Sequence, residues 1–232
     1  MTHLPVVLLA GGLGTRVSNI SAGKPKALLP LAGKPFIHWK LEELIAQGIT
    51  KIYFLLGYGA DQIEKYLIQT KYPVEIVIIR DQPKCTGTGR ALSDAMPNIV
   101  ENQFILTYGD NLLPLPISEF TGLLQENHCR MVITSRIGPA DKPNAAVEAG
   151  LVTAYGKINS SQYTMLDYGY SVISKSCLKE FLQEGIADLA PAFTRMAQQD
   201  CLEAHITDYG YTEIGTPETY FQANESLGNN IQ

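Results

Sequence analysis

Val6-Val7-Leu8-Leu9-Ala10-Gly11-Gly12-Leu13-Gly14-Thr15-Arg16 is a short apolar run that breaks on three closely spaced glycines. A run this brief, apolar at consecutive positions and opened by valines, reads as a strand buried on both faces of a parallel sheet. Glycines at its end let the backbone approach a ligand, and consecutive N–H groups there can form an anion-binding nest. A plain tight strand-to-helix turn is the alternative. The spacing excludes two familiar phosphate loops. After Gly12 and Gly14 the third glycine of G-x-G-x-x-G would fall on Val17, and no Gly-Lys-Ser/Thr follows.

Outward from this strand, apolar runs of strand length alternate with helical periods. Residues 35–47 carry Ile37, Leu41, Leu44 and Ile45 as a helical stripe closed by Gly48. Strands are expected at 52–56, 74–79 and 104–107, with a helix over 61–68 between the first two. This order predicts an α/β, doubly wound, mostly parallel sheet with helices on both faces. Later, strands are expected at 130–135, 168–173 and 202–206, and helices over 117–126, 178–182 and 189–196. Residues 137–165 suggest hairpins or a lid rather than core. Thr216-Pro217-Glu218 opens a last helix, with Pro near N1 and an acid in the first turn. No Gly/Ser or Pro linker divides the chain, so residues 1–232 read as one domain. A regular first half would run to about residue 115, and a less regular second half from about 116.

Composition agrees with a folded domain. The 232 residues are 45% hydrophobic and 18% charged, with 18 basic against 23 acidic side chains and a net charge of −5. An acidic balance without a Lys/Arg run argues against nucleic-acid or membrane-surface binding. Cys85, Cys129, Cys177 and Cys201 lie far apart with no C-x-x-C pair, resembling neither a zinc site nor a disulfide framework. Met1-Thr2-His3-Leu4-Pro5 lacks a basic n-region, and no apolar run is long enough for a spanning helix, so the expectation is a reduced, cytoplasmic protein.

Lys24-Pro25-Lys26 follows the glycine loop and Arg16 closely enough to bring three cations to one anion site. Lysine is a compact point charge for phosphate, and arginine offers its oxygens a planar fork. Lys24 and Lys34 are better read as solvated. The stretch Leu9-Ala10-Gly11-Gly12-Leu13-Gly14-Thr15-Arg16, followed by Pro25-Lys26-Ala27-Leu28-Leu29-Pro30, resembles the sugar-1-phosphate nucleotidyltransferases, also called NDP-sugar pyrophosphorylases. The resemblance continues through Thr86-Gly87-Thr88-Gly89-Arg90, Tyr108-Gly109-Asp110, Asp167-Tyr168-Gly169 and Glu213-Ile214-Gly215-Thr216-Pro217, and so covers nearly the whole chain. It is nearest to the small heptose-1-phosphate guanylyltransferase-like branch. It implies nucleotidyl transfer from an NTP to a sugar 1-phosphate, with Mg2+ as cofactor and a homodimer as one possible assembly.

The resemblance assigns roles residue by residue. Arg16, Lys26 and Asp110 would be catalytic, and Asp110 with Glu213 would hold the metal, Glu213 standing where most relatives carry Asp. Asp208 is the fallback carboxylate. Leu9, Ala10, Gly11, Gly12, Gly14, Thr15, Gln82, Gly87 and Thr88 would bind the nucleotide, with Thr88 also able to cap the next helix. Asn144, Lys157, Asp167 and Tyr168 would serve the sugar phosphate. The acceptor half departs from the family, because Gly156-Lys157 stands where many relatives have Glu-Lys. An ionised phosphate needs no base, so His3, His38, His128 and His205 are expected to be structural or solvated. The base stays open between guanine, cytosine and uracil. Two other readings stay open as well: transfer to a small non-sugar phosphate, and a non-catalytic nucleotide-sensing subunit on the same fold.

Overall fold

The side chains of β1 (Val6–Leu9) alternate between two separate apolar clusters, Val7 and Leu9 entering one, Val6 and Leu8 the other. That alternation is the geometry of a strand buried on both faces. The structure is a computed structural model and describes residues 4–12, 14, 17–21, 23–81, 87–138, 141–156, 161–182 and 186–229. After β1 come α1 (Ser18–Ser21), a short 3-10 turn (Lys26–Leu28), β2 (Pro30–Leu31), β3 (Lys34–Pro35), α2 (Phe36–Ala46), β4 (Lys51–Leu56), α3 (Ala60–Thr70) and β5 (Glu75–Arg80). Then follow α4 (Thr88–Ala95), β6 (Gln103–Tyr108), β7 (Asn111–Leu112), α5 (Ile117–Phe120), β8 (Cys129–Thr134), β9 (Ala145–Glu148) and β10 (Leu151–Tyr155). The chain closes with β11 (Leu166–Ser174), α6 (Lys175–Phe181), α7 (Ala190–Gln198), β12 (Leu202–Thr207), β13 (Thr212–Glu213) and α8 (Pro217–Asn229).

A nine-stranded sheet in the order β5-β4-β1-β6-β11-β8-β12-β10-β9 runs through both halves of the chain. β5, β4, β1 and β6 are mutually parallel, and β8 and β12 are parallel to each other. β11 and β10 run against their neighbours, which leaves the sheet mixed and mostly parallel. Helices cover both faces as expected. Ile37, Leu41 and Leu44 of α2 and Ile63 and Leu67 of α3 fill one cluster, while α4, α6 and α7 supply Leu92, Leu178, Phe193 and Met196 to the other. β1 has β4 on one side and β6 on the other. The carboxyl ends of β1 and β6 therefore flank a topological switch point, where an α/β sheet opens a crevice.

Two expectations are corrected. The helix expected over 117–126 is a single turn, α5. Tertiary bonding overrides its continuation, because the Arg130 guanidinium takes the carbonyls of Phe120, Gly122 and Leu123 at 2.9, 3.1 and 2.8 Å. The hairpin expected within 137–165 is present, but it belongs to the core, where Ala145, Val152 and Tyr155 are buried. β9 and β10 make a hairpin that extends the sheet beyond β12, and Ala149 and Gly150 turn it at φ 49° and 83°.

A third cluster clamps the periphery of the crevice. Val17, Leu29, Leu31, Phe36, Ile214, Tyr220 and Ala223 pack together, joining α8 to the β2–β3 hairpin. The Tyr220 hydroxyl donates to the Pro30 carbonyl at 2.5 Å, and the Ala32 N–H donates to the Asn224 side chain at 2.8 Å. Lys26 and Glu213 thus stand three and one residues from side chains buried in the same cluster, Leu29 and Ile214.

Candidate active site

Pro25 lies directly over Gly59, whose φ is +70°, and a Cβ there would sit 2.0 Å from the proline ring. The 3-10 turn that begins at Lys26 is therefore seated on the start of α3. Gly14, at φ +61°, faces the Lys26 stem, with 3.2 Å from its would-be Cβ to the lysine Cβ. These contacts place the glycine loop and Lys26 side by side at the carboxyl end of β1.

Across the crevice, Gly109 follows β6, its N–H donating to the Leu9 carbonyl at 2.9 Å, and Asp110 comes next. The Lys26 ammonium lies 2.8 Å from Asp110 Oδ2, the lysine side chain 12% and the carboxylate 41% exposed. A pair open to solvent to this extent is worth about 0–1 kcal/mol, so exchanging partners costs little. The Asp110 carbonyl accepts the Ile214 N–H at 3.1 Å, and β7 pairs antiparallel with β13 so that Asn111 faces Glu213. Both Glu213 carboxylate oxygens lie 3.0 Å from the Cβ position of Gly215, so the glycine leaves the room they occupy. Of the two expected metal carboxylates, Asp110 therefore immediately precedes β7 and Glu213 lies on its partner β13, 103 residues away in the chain.

Leu9, Ala10, Gly11 and Gly12 run off the carboxyl end of β1, where the Ala10 N–H donates to the Leu55 carbonyl at 3.0 Å and the Gly11 carbonyl accepts the Tyr58 N–H at 3.1 Å. Gly87 and Thr88 open α4, and Gly87 is pressed against the Ala187 carbonyl, 2.1 Å from where a Cβ would be. The capping expected of Thr88 is corrected: the N-cap is Gly87 and no side chain caps the helix. The Thr88 hydroxyl instead accepts the Leu189 N–H at 3.1 Å and donates to Asp188 at 3.3 Å, tying the loop to the segment before α7. Thr15, Arg16, Gln82 and Lys157 lie outside the described residues.

On the acceptor side two of the expected residues, Asn144 and Asp167, share one network. The Asp167 N–H donates to Asn144 Oδ1 at 2.8 Å, and the Asp167 carboxylate accepts the Gly169 N–H and the Tyr155 hydroxyl, both at 2.9 Å. Burial pushes the Asp167 carboxyl up from the ordinary aspartate range, opposed by those two donors. Tyr168 is only 2% exposed and spends its hydroxyl on the Gly210 carbonyl at 3.0 Å, so its side chain belongs to the core. Gly156 accommodates Tyr163, whose hydroxyl is 2.7 Å from the Cβ position. A glutamate there, as in many relatives, would have to displace it.

Two features escaped the sequence reading. Asp81 follows β5, and its Oδ2 lies 2.7 and 2.6 Å from the Cβ positions of Gly11 and Gly57. Only glycines leave space for that carboxylate, which forms no hydrogen bond among the described residues. Burial and the nearby Asp94 push its carboxyl above the ordinary range. The signal was present as an acidic residue two places after a predicted strand, at the sheet end where ligands bind. The second is Lys40, wholly buried on α2. It lies among Ile37, Leu41 and Leu44, so the helical period alone puts it on the inward face.

The chain is similar to known proteins along most of its length. Residues 6–181 match the family model described as the MobA-like NTP transferase domain. A D-glycero-alpha-D-manno-heptose 1-phosphate guanylyltransferase of Campylobacter jejuni is 26% identical, over 94% of this chain and 97% of that protein. A bifunctional protein GlmU of Halorhodospira halophila is 38% identical over 112 residues; the match takes in 48% of this chain but spans only 22% of that longer protein. HddC from Yersinia pseudotuberculosis, solved in complex with GMP-PN, superposes with a TM-score of 0.80 at 25% identity, covering 97% of this chain and 99% of that one.

Proposed function

The chain belongs to the MobA-like NTP transferase domain family of nucleotidyltransferases, and from that premise we propose that it transfers a guanylyl group from GTP to a sugar 1-phosphate, releasing pyrophosphate. The observation that carries this reading is the Lys26–Asp110 contact at the switch-point crevice, with Glu213 on the strand paired to the residue after Asp110. The named relatives of full-length coverage act on a heptose 1-phosphate, and we take that acceptor class as the first to test.

The base follows from Asp81. A carboxylate only accepts hydrogen bonds, and it has two oxygens to offer. Guanine presents the adjacent N1–H and N2–H2 donors that match both. Uracil and thymine flank their one N–H with carbonyls, which a carboxylate repels, and cytosine offers a single amino donor beside an acceptor. Asp81 against Gly11 and Gly57 thus reads the guanine edge while the glycine loop carries the phosphates.

Lys26 turns from Asp110 to the α-phosphate as GTP enters, and its charge meets the negative charge that grows in the transition state. Arg16 holds the β- and γ-phosphates that leave as pyrophosphate. The acceptor phosphate is ionised at neutral pH and attacks the α-phosphorus in line, so no residue has to remove a proton. Asp110 and Glu213 suit magnesium, which takes one or two carboxylates and completes its shell with phosphate oxygens and water. Among the described residues no group of three or more His, Cys, Asp or Glu could hold a metal by itself. When bound, the ion offsets phosphate charge and polarises the phosphoryl oxygen. We place the reaction in the cytoplasm, which suits the free thiols of Cys129, Cys177 and Cys201; no helix among the described residues is long and apolar enough to cross a membrane.

The deciding experiment is pyrophosphate release by the purified protein with magnesium. Each of GTP, CTP, UTP, ATP and dTTP is paired with heptose, mannose and glucose 1-phosphates and with non-sugar phosphates. Release with GTP and a sugar 1-phosphate is expected. Release with another nucleotide would refute the base assignment, and none with any pair would refute the transferase reading.

A further inference from the structure

Lys40 is a fully buried cation in a helix face otherwise made of Ile37, Leu41 and Leu44. A leucine or methionine would fill that place without desolvating a charge, so the ammonium has to be explained by what it touches. Its Nζ lies 3.1 Å from Glu43 Oε2, 3.5 Å from Asn111 Oδ1, 3.5 Å from the Tyr170 hydroxyl and 4.8 Å from the centre of the Tyr170 ring. The other Glu43 oxygen, Oε1, accepts the Leu113 N–H at 2.5 Å. One turn further along, Gln47 Oε1 accepts the Ile117 N–H at 2.6 Å. Positions 40, 43 and 47 share one stripe of α2. The stripe grips the segment that begins one residue after Asp110.

We propose that Lys40 and Glu43 are a positioning pair that fixes the β6–β7 turn, and through it holds Asp110 and Glu213 in register for a divalent cation. Three contacts carry the coupling. Lys40 meets Asn111, the residue next to Asp110 and the β-partner of Glu213. Glu43 holds the backbone just beyond β7. The Asn111 amide in turn fills the space beside Gly169, with its Nδ2 2.5 Å from the Cβ position, so the turn is braced on the acceptor side as well. A segment of two-residue strands has little hydrogen bonding of its own, and the buried pair supplies the rigidity that a metal site needs from its surroundings. The inference rests on Asp110 and Glu213 being the metal carboxylates.

Two variants and two measurements test it. Lys40→Met with Glu43→Gln removes both charges at nearly constant volume, a change that buried ion pairs often tolerate. Glu43→Asp keeps the charge but shortens the reach, and guards against a double variant that does not fold. The first measurement is amide hydrogen exchange at Ile214, whose N–H donates to the Asp110 carbonyl. The second is Mn2+ binding to the protein saturated with GTP, followed by electron paramagnetic resonance against GTP without protein. Expected in both variants is a loss of roughly tenfold or more in Ile214 protection, with the amides of β1 and β4 unchanged, and Mn2+ affinity weakened by about the same factor. A purely structural pair would give the double variant parent-like protection and affinity, and that result overturns the proposal. A parent protein whose GTP complex holds Mn2+ no more tightly than free GTP does would overturn the metal reading beneath it, an outcome separable from failure of the pair.

Discussion

Lys26 and Asp110 neutralise one another across 2.8 Å, and the pair is exposed enough that each can leave the other cheaply. If Asp110 serves only to hold Lys26, Asp110→Asn should leave turnover close to the parent value. If it is a metal carboxylate, the same change removes charge from the reacting centre. The second outcome is expected, with a loss on the order of 10²- to 10³-fold in kcat. Melting should remain near the parent, and steady-state pyrophosphate release alongside a thermal melt separates the two cases. Asp81 makes a prediction of a different kind, because it acts on selection. Losing a hydrogen bond to a charged group costs about 1.5–3 kcal/mol, so Asp81→Asn should raise KM for GTP roughly ten- to a hundredfold. Its pKa is pushed up from 3.8. The stability contribution of such a group is present below pH 3.8 and is lost as pH rises through the folded value. Guanine binding runs the other way, since the protonated acid gives up an acceptor. GTP affinity should therefore weaken on acidification, beginning at a higher pH than for an ordinary aspartate. A KM–pH profile that is the same for parent and Asp81→Asn would refute the assignment.

At the scale of elements, α4 docks through its first turn. Gly87 sits at φ +96° with the Ala187 carbonyl where a side chain would go, and Thr88 is bonded to Leu189. Gly87→Ala adds backbone strain and a clash with a main-chain atom, and together these should cost about 2–5 kcal/mol in denaturant unfolding. A loss under 1 kcal/mol would mean that the loop yields readily. How much of this was readable beforehand depends on whether the deciding forces were local. β1, α2, β4 and β6 lie close to their expected places because each has a strong period of its own. The glycine loop and Lys26 stood out as residue types at fixed spacing, Asp110 by its place at the end of an apolar strand, and Glu213 through the family resemblance alone. The helix expected past Phe120 failed because Arg130, on another strand, takes its carbonyls. Thr88 was read as a cap because a cap is a local feature, whereas its partners lie about 100 residues away. Lys40 and Asp81 were missed for a related reason: their meaning comes from Asn111, Gly11 and Gly57, which the fold brings to them.

In the whole molecule, the sheet gives the crevice walls of unequal origin. β1, β4, β5 and β6 form a parallel block behind the glycine loop. β11 reverses direction next to β6 and carries Asp167 and Gly169 toward the same edge. A ligand spanning the switch point touches residues whose separate elements would otherwise be held together only through the core, so its binding energy should appear in global unfolding. Free GTP with magnesium at ~100 Kd should add about 2.7 kcal/mol. For a chain of this size that corresponds to a rise of roughly 5–10 °C in melting temperature. Matched concentrations of CTP, UTP, ATP and dTTP should give smaller shifts, and Asp81→Asn should narrow the gap between GTP and the rest. Equal shifts for all five would point to recognition of the triphosphate alone and remove the base-reading role from Asp81. A GTP-specific shift that survives in Asp110→Asn but shrinks without magnesium would assign the metal's share of binding to the phosphates. The carboxylate would then be needed chiefly for turnover.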